Sequence, residues 1–313
     1  MHDQIVTQKD TKARKVKNWY EVHEQGAGYR RMEFLWWVYK IFGIRILKGL
    51  VCVITFFIAI GARGARRASR KYRNTINAYE RGHGIPISRF SSFAHICAFA
   101  CSAVDKVSAI CDKNTPIKFE INQNQDWTDL QEMLSTGQGI FFICSHLGNI
   151  EALCAIPNST DKCMHAFMDV GQSPVFRGFI DKHSNYKNTI IHPTNDIDIT
   201  VASDMYDALR CGELVMMAGD RQSPNNPNKT IDVECLGHKC SLPMGTLRFA
   251  RACAHPIFAI ANIKTSTHKY RVFVKKLDTQ NLKEMAQGYI NFLQNLMLKY
   301  PKQWFNFFDF FED

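Results

Sequence analysis

The chain has 313 residues, 46% of them hydrophobic and 22% charged, an ordinary globular balance with enough length to bury a real core. A net charge of +10 predicts attraction to something acidic: nucleic acid, an anionic membrane surface or an acidic carrier protein. The 11 cysteines are odd in number and include no Cys-x-x-Cys pair, so they read as buried small hydrophobes in a reducing compartment. Cys97/Cys101 and Cys235/Cys240 lack a matching Cys or His set along the chain, so neither a metal nor another cofactor is expected.

Residues 1–32 form a polar, basic N-terminal segment with Lys12, Arg14, Lys15 and Lys17 ahead of any apolar run, unlike a secretory signal peptide. Residues 33–75 are expected to associate with a membrane. Phe34, Leu35, Trp36, Trp37 and Tyr39 cluster first, and fourteen uncharged residues follow at 49–62 (GLVCVITFFIAIGA). A span needs roughly 20 apolar residues, and extending back to Ile41 brings in Arg45 and Lys48. Arg63, Arg66, Arg67, Arg70, Lys71 and Arg73 come next without an acid. Both flanks are basic, so charge asymmetry fixes no orientation. A helical segment dipping into one leaflet fits this pattern, with Trp36 and Trp37 at the interface and Arg63, Arg66, Arg67 and Arg70 against anionic headgroups. The alternative is a buried helix packed on the main domain, its arginines solvated.

Residues 76–313 read as an α/β domain. Helical periodicity covers 65–112, with apolar Ile76, Tyr79, Phe90, Phe93, Ile96 and Cys97, broken by Gly82, Gly84 and Pro86. Strands are expected at 139–146, 163–170, 188–193, 213–220, 256–264 and 270–277, and helices near 174–183, 196–211 and 281–300. Such alternation argues for an α/β fold with a mixed sheet flanked by helices.

The sharpest chemical feature is SHLGNIE, Ser145 to Glu151, where the strand from 139 ends. Sites in open α/β sheets form beyond the carboxyl ends of strands. Gly148 permits a tight turn between His146 and Glu151. A carboxylate beside an imidazole fixes its tautomer and stabilises the imidazolium, so the ring can deprotonate a hydroxyl that attacks a thioester. Other residues carry softer signals. Arg221, closing the strand 213–220, could bind a phosphate or a developing oxyanion, or form a salt bridge with Asp220 or Glu151. Asp220 could orient Arg221 or share the proton work of His146. Asn149 could donate to the acyl carbonyl or serve as a turn residue. Pro243, Gly245 and Thr246 open a helix whose free amides could bind a phosphate; capping would explain Thr246 equally. Cys144 reads as a buried core thiol rather than a nucleophile. The C-terminal Phe305, Phe307, Phe308, Phe310 and Phe311 could touch lipid or pack on the cluster near Trp36.

Four elements in order resemble the bacterial lipid A biosynthesis acyltransferases, within the lysophospholipid acyltransferase superfamily: His146…Glu151, AGDR (218–221), ECLGHKCSLPMGTLRFARACAHPIF (234–258) and YPKQWFNF (300–307). ASRKYR (68–73) also looks like the family's N-terminal region, and the likeness covers about residues 30–310. It implies a glycerol-phosphate acyltransferase-like fold at the cytoplasmic face of a bacterial inner membrane, held by a monotopic or single N-terminal anchor. The donor it implies is an acyl carrier protein or coenzyme A thioester. The acceptor is a hydroxyl of a membrane lipid or glycolipid, with His146, Glu151, Asp220 and Arg221 as catalytic residues and Asn149, Gly148, Pro243, Gly245 and Thr246 on the substrate. Competing readings are transfer to an amine or a polyene-type lipid and a catalytically silent lipid-binding protein; the intact His146/Glu151 pair argues against the last. A nucleic-acid partner is not expected, because the basic residues flank an apolar segment instead of lining an aromatic-studded groove.

Overall fold

The computed structural model describes residues 29–155, 162–168, 178–179, 182–183, 188–194, 197–222 and 228–311. Three helices come first: α1 (Tyr29–Gly61), α2 (Arg63–Gly82) and α3 (Ser92–Cys111). In α1, Gly43 at φ 78° bends an otherwise continuous helix, a conformation that glycine alone adopts without cost. Val38, Tyr39, Ile44 and Leu47 of α1 form a core with Ala109 of α3 and Tyr270. Many of the other apolar side chains of α1 face out, beside exposed Arg30, Arg31, Lys40 and Arg45. Phe34, Trp37, Ile41, Phe42, Ile46, Val53, Phe56 and Ile60 are exposed, and Phe57 is 67% exposed. By length and composition, α1 and α3 could each cross a membrane. Arg63, which closes the uncharged run in sequence, begins α2.

Lys48, which interrupts the apolar run, turns inward. Its ammonium meets the fully buried Asp105 of α3, and Asp105 also takes Lys264 Nζ at 2.7 Å and the Tyr270 hydroxyl at 2.7 Å. A buried carboxylate is tolerable only when so paired. The arrangement ties α1 and α3 to the main domain and keeps this charge off the apolar face.

Helix α2 buries Ala68, Ser69, Tyr72, Thr75 and Ile76 at helical spacing and exposes Arg63, Arg67 and Arg70 on the other side, while Arg66 is half-buried. The expected boundary at 75/76 falls inside this helix, and Tyr72 and Ile76 share one core with the sheet.

The sheet has seven strands: β1 (Lys118–Ile121), β2 (Ile140–Cys144), β3 (Met164–Met168), β4 (Thr189–Pro193), β5 (Leu214–Ala218), β8 (Ile257–Ser266) and β9 (Lys269–Lys276), in the order β1-β9-β8-β2-β5-β3-β4. Only the β8–β9 pair is antiparallel, so the sheet is mixed, as expected from sequence. Every residue of β2 is buried, as a central parallel strand covered on both faces requires. Phe141 and Ile143 point into one core with α2, α5 (Ile199–Arg210), α6 (Met244–Ala252) and α7 (Leu282–Lys299). Ile140, Phe142 and Cys144 point into the other, under α4 (Gln125–Ser135). A separate hairpin, β6 (Thr230–Cys235) with β7 (His238–Pro243), precedes α6; the sequence reading did not resolve it, nor β1 and α4. Of the helix expected at 174–183, residues 178–179 and 182–183 are helical and the remainder lies outside the described residues.

Two expectations change. The C-terminal aromatics do not pack on Trp36. Phe311 stacks on Tyr72 with ring centres 6.3 Å apart, and Phe305 and Phe307 meet Phe99, because this segment is pinned along the turn after β2. Trp36 packs on Tyr39 and Phe179 instead. Cys97 and Cys101, spaced as if alone, meet Cys52 of α1, with the three sulfurs within 4.8 Å of one another; helix packing supplies what chain spacing lacked.

Candidate active site

Strands β2 and β5 are parallel neighbours in register, Cys144 opposite Ala218. Two residues further along each strand stand His146 and Asp220. That register alone puts an imidazole beside a carboxylate at the carboxyl edge of the sheet. His146 Nδ1 lies 2.9 Å from Asp220 Oδ1, and the His146 backbone N–H donates to Asp220 Oδ2 at 2.9 Å. A carboxylate only accepts, so Nδ1 carries the proton and Nε2 is the nitrogen left with a lone pair. The His146 side chain is one-third exposed, and that of Asp220 is fully buried. Burial alone would raise the Asp220 carboxyl. The His146 ring, its hydrogen bonds and the Arg221 guanidinium outweigh burial and hold it down at about 2.

The C-terminal signature completes the frame. Asn306, itself 1% exposed, donates through Nδ2 to Asp220 Oδ2 at 2.9 Å and accepts Arg221 Nε on Oδ1 at 2.8 Å. Arg221 also donates to the Phe305 carbonyl at 3.1 Å. The Phe305 N–H donates to the His146 carbonyl at 2.9 Å, and the Gly148 N–H to Gln303 O at 2.8 Å. Gln303 in turn brackets Lys264 of β8 with both ends of its amide. Residues 303–306 are therefore a strut beneath the His146 turn. Asn306 and Gln303 had no role in the sequence reading; both lie inside the YPKQWFNF motif, which was their only signal.

Gly148 is at φ +80°, and a Cβ there would sit 2.2 Å from the Asn262 carbonyl oxygen. No other residue fits, because Asn262 O accepts the Asn149 N–H at 2.8 Å while Asn262 Nδ2 donates to Asn149 O at 2.8 Å. The Asn149 side chain is buried and donates to the Ser102 carbonyl of α3 at 3.0 Å. It joins α3 to the His146 turn, of which its backbone is part, as one of the two roles expected from sequence has it. Glu151 sits in a 3-10 turn, Ile150–Ala155, and its side chain lies outside the described residues.

Pro243, Gly245 and Thr246 do open a helix, α6. The Thr246 hydroxyl does not cap it; it donates to the Ala218 carbonyl at 3.0 Å, fastening α6 to the end of β5. Cys144 is a core side chain, as expected. Trp37 is exposed and Trp36 half-buried.

A family model described as bacterial lipid A biosynthesis acyltransferase matches residues 33–312, a range that takes in most of α1, all of α2 and α3, and the C-terminal strut. A comparison with curated protein sequences returned no match.

Proposed function

Because the chain belongs to the bacterial lipid A biosynthesis acyltransferase family, and is thus an acyltransferase acting on a lipid, we propose that His146 is its general base, oriented by Asp220. The observation that carries this reading is the His146–Asp220 pair at the ends of adjacent central strands. Nε2 takes the proton of an acceptor hydroxyl as its oxygen attacks the thioester carbonyl. The imidazolium that forms is stabilised by the Asp220 carboxylate. Collapse of the tetrahedral intermediate breaks the carbon–sulfur bond, and the departing thiolate takes the proton back from Nε2, leaving an ester and a free thiol. Glu151 acts with His146 from the adjoining turn, and Arg221, braced by Asn306 and Phe305, stabilises negative charge on phosphate or oxyanion. Gly148 and Asn149 shape the turn, and Pro243, Gly245 and Thr246 the adjoining wall.

The donor is an acyl carrier protein in preference to acyl coenzyme A, given the basic net charge. The acceptor is a hydroxyl of a membrane glycolipid. The enzyme works at the cytoplasmic face of the inner membrane, with the exposed apolar face of α1 in the leaflet and the Arg63, Arg67 and Arg70 side of α2 on its anionic surface. The test is mass spectrometry of total lipids from cells making the protein or its His146→Ala variant. The expected result is one added acyl mass on a glycolipid with the active chain alone, the variant being folded and about a hundredfold to ten-thousandfold slower. Near-normal turnover by the folded variant would sink the mechanism.

A further inference from the structure

A second cluster of titratable side chains lies at the opposite edge of the sheet from His146. Cys163 directly precedes β3, Glu213 directly precedes β5, and His165 is the second residue of β3. These strands are parallel neighbours with Met164 opposite Leu214, so Cys163 and Glu213, one step earlier, come side by side. Side chains two apart on a strand share a face, which puts Cys163, His165 and Glu213 on one side of the sheet. His192 of β4 joins them there, because His165 pairs with Ile190 and His192 is two residues further on.

His165 is buried. Its Nε2 lies 2.6 Å from Glu213 Oε2, and its Nδ1 lies 2.9 Å from His192 Nε2. A ligand atom from each of Cys163, His165 and Glu213 falls within 4.8 Å of the other two. We propose that these three residues bind a divalent cation of the zinc class, with His192 as the positioning residue that holds the His165 ring.

The donor chemistry carries the choice of ion. A thiolate, an imidazole nitrogen and a carboxylate oxygen make a borderline set that suits zinc better than magnesium or calcium, which take oxygen ligands. Around a tetrahedral zinc such donors stand roughly 3.3–3.6 Å apart, so only small side-chain shifts close the set. With the ion on Nε2, the His165 Nδ1–H donates to His192, the kind of outer partner that fixes a ligating ring. Cys163 and Glu213 are half-buried, which leaves an approach for the ion and a fourth position for water. A bound cation would take the place of the Cys163 thiol proton and staple the starts of β3 and β5. Spacing along the chain could not reveal the set, because two ligands come from β3 and its start and the third from the start of β5, 50 residues on (213 − 163 = 50).

The test uses the full chain, purified in detergent without a histidine tag, in a Cys52→Ser background that removes the thiol trio between α1 and α3. The protein is stripped with chelator, reloaded with zinc or cobalt(II), and dialysed. Expected results are close to one bound zinc per chain by elemental mass spectrometry and a thiolate-to-cobalt charge-transfer band. Cys163→Ser should abolish the band, Glu213→Gln should weaken zinc binding, and His192→Gln should weaken it about tenfold to a hundredfold with the band kept. Circular dichroism establishes that each variant is folded. Substoichiometric zinc without a charge-transfer band, or zinc uptake unchanged by Cys163→Ser and Glu213→Gln, would overturn the site.

Discussion

Replacing Asp220 with Asn isolates what the carboxylate does for His146. The two oxygens of Asp220 face three donors: His146 Nδ1 on one, the His146 backbone N–H and Asn306 Nδ2 on the other. An amide has one oxygen. If its NH2 replaces Oδ2, it confronts two N–H groups; if it replaces Oδ1, it donates to Nδ1 and drives the ring proton to Nε2, where the base must be free. The electrostatic loss is separable. Unit charges roughly 4 Å apart interact by about 4 kcal/mol at an effective dielectric of 20. The His146 ring is one-third exposed, which trims this to about 3 kcal/mol, or about a hundredfold in rate. The tautomer error adds to that, toward the roughly ten-thousandfold loss seen when such an Asp becomes Asn in a serine protease. Thiol release from an acyl thioester under saturating lipid acceptor measures the rate, with a thermal melt as the control for folding. A folded Asp220→Asn protein within about threefold of the parent rate would refute the reasoning, and leave Glu151 as the partner to test.

Gly148→Ala should cost at least about 3 kcal/mol, from strain at positive φ and a Cβ driven into the Asn262 carbonyl, read as a lowered melting temperature together with lost activity. Neutralising Arg63, Arg66, Arg67 and Arg70 should weaken binding to anionic vesicles by about 1 kcal/mol for each side chain at the surface. Sedimentation checks this, and equal binding by parent and variant would remove the electrostatic part. Transfer from an acyl carrier protein should slow steeply as salt screens attraction beyond about 8–10 Å, while transfer from acyl coenzyme A at equal concentration should change little. Equal salt response from both donors would remove the carrier-protein preference without touching the chemistry of His146.

Much of this protein was legible in its sequence because local pattern and covalent order are enough for it. Uninterrupted apolar runs such as 139–144 define buried parallel strands, and the motif at 145–151 falls at a strand's end whatever the rest of the chain does. The uncharged stretch 49–62 is equally local, since the apolar character of a helix face follows from the side chains it carries. What the sequence could not supply was pairing across distance. The Nδ1 partner of His146 stands 74 residues away (220 − 146 = 74) and follows from the register of β2 against β5, which is set by packing both faces of the sheet at once. The strut of Gln303, Phe305 and Asn306 is still more distant, and its polar side chains look like surface residues until α7 delivers them under the His146 turn. Lys48 reads as a flaw in an apolar segment, and only the position of Asp105 on α3 turns it into the charge that fastens that segment down. Hydrophobic periodicity is a property of neighbours in the chain. Hydrogen-bond and ion-pair partners are neighbours in space, and for this protein the residues around the imidazole belong almost entirely to the second kind.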